Sequence, residues 1–334
     1  MTILDHITRK TLSYLQLYWM LVRLILPIAL ITEALSRMGV IKAIAPAFGP
    51  VMALYDLPPE LGLAWLTGLL IGIWGAIPLI FALVPVSELT VADVTILSSL
   101  LLFAHALPIE QGILRQTGAR LMATVLIRVG GGMIYAMILH QLSSATGWMQ
   151  APVSAVWTPM AGTEGWTSFL IGLAETMGWM LIVLLALCWA IEILRLTGVM
   201  DLLNRLVDPV LRLAGISGEA RQFAVIGALL GISYGGGMMI REAQSGLIPP
   251  RQIFAACVFM GFSHAIIEDT AIVMAIGADG LAVGLGRMIF AIAATALVVR
   301  VLNRVPDRLF YQWFFVPGGR VTDGPSGQPQ GDVA

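Results

Sequence analysis

Charge is scarce in this sequence. Only 12% of its 334 residues are Asp, Glu, Lys or Arg, about half the ~25% of an ordinary soluble domain, and the formal net charge is −1. It has no basic block suited to a nucleic-acid backbone, which excludes nucleic acid as an expected partner. Cysteine is nearly absent: Cys188 and Cys257 lie in apolar stretches with no C-x-x-C spacing or disulfide framework. Both read as small buried hydrophobes. No G-x-x-x-x-G-K-[ST] loop is present to cradle a nucleotide, and no nucleophile motif accompanies a base. An enzyme is not expected, and no cofactor is implied.

What fills the chain is apolar surface. Hydrophobic residues make up 58% of it and mean hydropathy is +0.88. Tyr18 to Ile31, Trp179 to Ile191 and Ile289 to Val299 are the cores of longer runs, which with their flanks approach the ~20 residues that cross a hydrocarbon core. The lipid bilayer is the expected environment. No small-residue cleavage site follows the polar start MTILDHITRKTLS, so the first helix reads as retained.

The chain also repeats itself. Shifted by 159 residues, Glu33, Gly39 and Pro50 fall on Glu192, Gly198 and Pro209, and Gly72-Ile73 falls on Gly231-Ile232. Phe103, His105 and Ala106 fall on Phe262, His264 and Ala265, and Gly118 and Arg128 fall on Gly277 and Arg287. Apolar bias explains matched leucines, but not a matched His, Arg and Glu in one register. Each half reads as a long helix (14–35; 168–194), an amphipathic stretch (36–62; 195–221), a Gly-rich apolar segment (63–84; 222–240) and two more spans (90–107, 119–142; 250–268, 280–303).

Basic residues set the expected topology through the positive-inside bias. No Lys or Arg lies between Arg128 and Arg195, which places the loop 143–167 outside. Arg9, Lys10, Arg300, Arg304 and Arg308 place both termini inside, so each half crosses an odd number of times. The expected fold is therefore an all-α integral membrane protein, a tandem inverted repeat with about three spanning helices plus one re-entrant or broken segment per half. The expected divisions are 1–13 cytoplasmic, 14–142 first repeat, 143–167 extracytoplasmic linker, 168–303 second repeat, and 304–334 a cytoplasmic tail, disordered from Gly318.

Three groups of residues stand out. Gly235-Gly236-Gly237 is poor helix sequence and suits a turn with bare backbone facing a ligand; Ser233 and Tyr234 add hydroxyls. In the second cluster, His264 and Glu268 share a face if helix continues between them, with Asp269 beside them. His105 and Glu110 are the first-half counterparts, and Pro108 suggests a break there. Titratable groups at this depth are costly and functional by default, so both sets are candidate proton or ion sites; His264, Glu268 and Asp269 would be the metal ligands if there is a metal. In the third group, Arg128 and Arg287 each sit in the last span of a half and need a carboxylate, carbonyls or an anionic substrate. Glu33 and Glu192 read as structural partners at helix ends, and Arg23 as a snorkelling side chain.

Gly231-Ile-Ser-Tyr-Gly-Gly-Gly, Arg241-Glu242 and Phe262-Ser-His-Ala-Ile-Ile-Glu-Asp-Thr270 together resemble bacterial nucleoside-recognition, or Gate-domain, membrane proteins. That domain is associated with the membrane part of ferrous-iron transporters, with concentrative nucleoside transporters, and with spore-maturation and dipicolinate-transport proteins. The resemblance spans roughly 30–140 and 190–300, one Gate-like unit per half. It implies transport across a bacterial inner membrane with the site between the units, and carries no substrate with it. The expectation is a secondary transporter of a small polar, anionic organic solute, with proton coupling through the histidines. A divalent-metal transporter and a membrane enzyme or assembly factor are the alternatives. The partner is a small molecule or ion; the oligomeric state is open, homo-oligomer included.

Overall fold

The structure, a computed structural model, describes residues 3–40, 43, 45–154, 165–199, 207 and 209–316. The side chains of some helical residues, Ser233 to Met238 among them, are not described. The tail from Gly318, Trp157 of the central loop, Lys42 and Arg205 lie outside the described residues.

The elements we use are helices α1 (Ile3–Arg37), α2 (Leu61–Ile71), α3 (Ile73–Leu83), α4 (Val91–Phe103), α5 (Leu107–Gln116), α6 (Leu121–Thr146), α7 (Gly165–Leu196), α8 (Ala220–Leu230), α9 (Ile232–Gln244), α10 (Pro250–Ser263), α11 (Glu268–Ala275), α12 (Arg287–Leu302) and α13 (Asp307–Trp313). No strand occurs among the described residues, only two isolated bridges. Among the described residues, five stretches are long and apolar enough to cross a bilayer: Val91–Gln116, Leu121–Thr146, Gly165–Ala190, Pro250–Ala275 and Leu281–Leu302. The chain is an all-α integral membrane protein.

Two of these stretches are central. Val91–Gln116 is 72% buried and Pro250–Ala275 67%, against 28–33% for the other three. A helix apolar all round belongs in an interior, and these two also carry the interruptions. The flanking spans face inward along one stripe of small or polar residues. On α6 the stripe is Thr124, Arg128, Gly131, Tyr135 and Leu139, and on α12 it is Arg287, Ala291, Thr295 and Val299. Large apolar residues such as Leu126, Ile134, Ile289 and Leu297 point outward. In lipid, small residues let helices approach closely, so the pattern is the reverse of a soluble bundle.

The Gly-rich segments fold back on themselves. The break in each is one glycine, Gly72 (φ 127°, ψ 174°) and Gly231 (φ 81°, ψ 158°), in backbone regions that only glycine adopts readily. A Cβ on Gly68 would meet the Ala76 methyl at 3.2 Å, whereas residues eight apart in a straight helix are about 12 Å apart. Gly227 likewise lies against Met239. Each arm has 11 to 13 residues, roughly 16–20 Å, too short to cross alone.

This corrects one sequence expectation. Gly235, Gly236 and Gly237 are not the break: α9 runs through them as helix. Propensity is a weak prior, and the neighbouring Gly231, which can take positive φ, absorbs the turn. The side chains of Ser233 and Tyr234 lie outside those described.

The opening helices of the halves, α1 and α7, pack antiparallel. Lys10 Nζ lies 3.0 Å from Glu192 Oε2, Tyr14 and Trp189 meet edge-on at 5.9 Å, and the Arg37 guanidinium covers the Trp166 ring at 5.1 Å. Glu33 pairs with Arg37 at 2.5 Å. Both glutamates are thus paired with bases at helix ends. Arg23 lies over the Trp19 ring.

Candidate ion and solute site

The central spans stop in mid-course. The Thr90–Asp93 capping box starts α4, and proline at the first position starts α10. They end at Phe103 and Ser263, where Ala106 and Ala265 each take φ 45°. A left-handed alanine costs about 1–2 kcal/mol, and the surroundings hold it. Ala106 N–H donates to Gly68 C=O (2.9 Å) and Ile266 N–H to Ala228 C=O (3.1 Å). A Cβ on Gly72 would sit 3.6 Å from the Ala106 methyl, and one on Gly231 would sit 3.5 Å from the Ala265 methyl. The tip of each hairpin therefore rests on the break of its own half.

A stopped helix leaves carbonyls without partners, and the two arginines satisfy them. Arg128 Nε donates to Phe103 C=O (3.0 Å) and Arg287 Nε to Phe262 C=O (2.7 Å). Arg287 Nη2 also donates to Leu102 C=O (2.9 Å) and His264 C=O (3.1 Å), whereas Arg128 Nη2 pairs with Glu110 Oε2 at 2.8 Å. The pair is a charge contact, and Glu110 Oε2 accepts no hydrogen bond. Of the roles the sequence left open, carbonyl caps and an ion pair are the ones seen. Burial leaves Arg128 1% and Arg287 0% exposed.

The histidines occupy the breaks. His105 Nδ1–H donates to Leu101 C=O (2.9 Å) and His264 Nδ1–H to Met260 C=O (3.0 Å). A carbonyl only accepts, so the proton of each neutral ring is on Nδ1 and a lone pair is on Nε2. The two Nε2 atoms face each other at 3.3 Å. His105 Nε2 lies 3.6 Å from Asp269 Oδ2 and 3.8 Å from Glu110 Oε1, and His264 Nε2 lies 3.4 Å from Glu110 Oε2. Arg128 Nη2, 3.5 Å from His264 Nε2, is the nearest donor. Buried Asp269 Oδ2, Arg128 Nη1 and Arg287 Nη1 have no hydrogen-bond partner.

Five sequence candidates therefore come together with Arg287 beside them: His105, Glu110, Arg128, His264 and Asp269. Glu268 does not join as expected. Helix is interrupted from His264 to Ile267, so the i, i+4 face shared with His264 does not exist, and Glu268 begins α11 half-buried. Pro108 is not the break either; it sits in the first turn of α5, where a missing N–H costs nothing.

Sequence reasoning missed several supporting residues. Gly261 makes room for Arg128, since a Cβ there would sit 2.7 Å from Arg128 Cγ. Gln111 accepts from Thr124 at 2.5 Å. Phe103, Phe262, Tyr135 and Phe290 form an aromatic block with centroids 5.1–5.9 Å apart. A π-helical turn, Leu281–Gly286, precedes Arg287; such turns cluster at functional sites.

Fold and cluster define a membrane protein whose two central spans break around a buried set of ionisable groups. Residues 167–280 match the Gate family, described as nucleoside recognition; the match includes Gly231, His264 and Asp269 and ends before Arg287. The chain is 26% identical over 266 residues to the uncharacterized membrane protein YvoD of Bacillus subtilis (strain 168), covering 78% of this chain and 84% of that protein. No solved structure matches.

Proposed function

We propose that the chain is a secondary transporter of a small polar solute, with its site at the His105–His264 cluster between two Gate-like repeats. One observation carries this reading: six buried ionisable residues, each at most 8% exposed, sit where two spans break and each hairpin tip rests on the break of its own half. Irregular backbone at membrane depth is tolerated when protein buries it or it lines a cavity, and intramembrane charges mark solute and ion pathways. Charge bias supports an inner-membrane location with both termini cytoplasmic. The shared 159-residue register of Gly72/Gly231, Ala106/Ala265, His105/His264 and Arg128/Arg287 supports the duplication, and the antiparallel pairing of α1 with α7 supports the inversion.

A narrower reading is an organic anion moved with protons. The partnerless Nη1 groups of Arg128 and Arg287 favour it, since each is an unused cationic donor.

Proteoliposomes on a solid-supported membrane test both. Carboxylates, nucleosides and divalent cations are added in turn, with and without a pH gradient. We expect a transient current for one class that disappears in His264→Gln. A current for carboxylates that falls in Arg287→Gln supports the anion reading, and an unchanged one removes it. Silence to every class from folded protein ends the transport proposal.

A further inference from the structure

We propose that His105, His264 and Asp269, with Glu110 at the fourth side, form a binding site for a divalent transition-metal ion. This rests on the transport reading and names a cation as the ligand of its site, in place of the organic anion of the narrower reading.

The acceptor count argues for a cation. Two imidazole lone pairs and two carboxylates converge, and within the cluster only Arg128 Nη2 donates towards them. Among the described residues, the contacts of His105 Nε2 are all to acceptors: His264 Nε2, Asp269 Oδ2 and Glu110 Oε1. Asp269 Oδ2 is buried and unpartnered beside it. Neighbouring acceptors repel unless a proton or a cation lies among them.

The spacing argues for a metal. Zinc-like ions bind nitrogen and oxygen at about 2.0–2.1 Å in tetrahedral geometry, which sets ligand atoms about 3.3–3.4 Å apart. The contacts here are 3.3, 3.4, 3.6 and 3.8 Å, and one atom each of His105, His264 and Asp269 lies within 4.8 Å of the others. Closing the shell draws Asp269 towards His264, and Glu110, which stands outside that three-residue group, comes in as the fourth ligand.

The surroundings argue for it too. Metal-ligating histidines give their other N–H to a carbonyl or carboxylate, which fixes tautomer and ring orientation; Leu101 and Met260 accept from these two rings. Two imidazoles with carboxylates suit a borderline ion such as zinc, iron or cobalt better than magnesium or calcium. Glu110 and Asp269 equal Arg128 and Arg287 in number, and Glu268 adds a third carboxylate beyond the cluster at the start of α11.

The test is a cobalt titration of the full chain, purified in detergent and stripped with chelator. We expect one Co²⁺ per chain at micromolar affinity, with the visible bands of a four-coordinate N/O site, a raised melting temperature, and displacement by Zn²⁺ but not Mg²⁺. Affinity should fall by more than the roughly 10–100-fold typical of a lost outer-shell partner in His105→Gln, His264→Gln and Asp269→Asn. His140→Gln, at the peripheral pair with Asp56, should change nothing. Absence of bands and of a melting shift in the wild type overturns the proposal, whatever the variants do. So does binding that survives both histidine changes in monodisperse protein, or that Mg²⁺ displaces equally well. Solute currents without metal binding reject the metal and keep the transporter; metal binding without any current does the reverse.

Discussion

The arginines are the costliest residues in the molecule and the ones whose role the structure alters most. An arginine at the centre of a span costs about 2.5–3.5 kcal/mol on insertion scales; two are kept because each closes the end of an interrupted helix. The two are not interchangeable. Arg128 divides itself between Phe103 C=O and the Glu110 carboxylate, while Arg287 donates to three carbonyls. Removing one partner of a buried ion pair strands the other, a loss of roughly 3–5 kcal/mol. Arg128→Met should therefore lower the melting temperature in detergent sharply. Arg128→Met with Glu110→Gln should recover part of the loss, because the stranded charge is gone while Phe103 C=O stays uncapped. Equal melting of the single and double variants would separate Glu110 from Arg128 energetically.

At the scale of elements, two glycines carry the hairpins. Gly72→Ala and Gly231→Ala each force a side chain into backbone that costs about 1–3 kcal/mol, while the added methyl meets its neighbour at ordinary contact distance. Gly236→Ala lies in helix and escapes that strain. Melting curves should rank Gly231→Ala well below Gly236→Ala; the opposite order would put the break back at the triple glycine. This difference shows where the sequence was readable. The 159-residue register found His105, His264 and both arginines, because charged residues matched in an apolar chain are informative. It did not locate the turn, since three glycines look like a stronger break than one. Nor could it see that Ala106 and Ala265 turn left-handed, because nothing intrinsic to alanine calls for it. That conformation comes from contacts with Gly68, Gly72, Ala228 and Gly231, and it separates His264 from Glu268. Gly261 was invisible for the same reason: its role exists only opposite Arg128.

At the scale of the molecule, hydropathy and charge bias together determine the expected arrangement in the membrane. The end of α6 and the start of α12's following turn are predicted to lie on opposite sides. In a Cys188→Ser, Cys257→Ala background, an impermeant maleimide should label Ala145→Cys in intact spheroplasts. It should reach Asn303→Cys only after permeabilisation. The reverse pattern would invert the topology. Within that frame, the two ring tethers have a mechanical consequence. Because Nδ1 of each imidazole is tied to the last turn of its own helix, neither ring is free to swing after a departing ligand. The gap between the rings is a caliper set by α4 and α10, and on the proposed reading a ligand in it would stabilise the state in which these helix ends lie together. At about 100 times its dissociation constant such an occupant would hold that state by about 2.7 kcal/mol. Any movement that parts the helix ends opens the caliper in the same stroke, so letting go needs no separate gate.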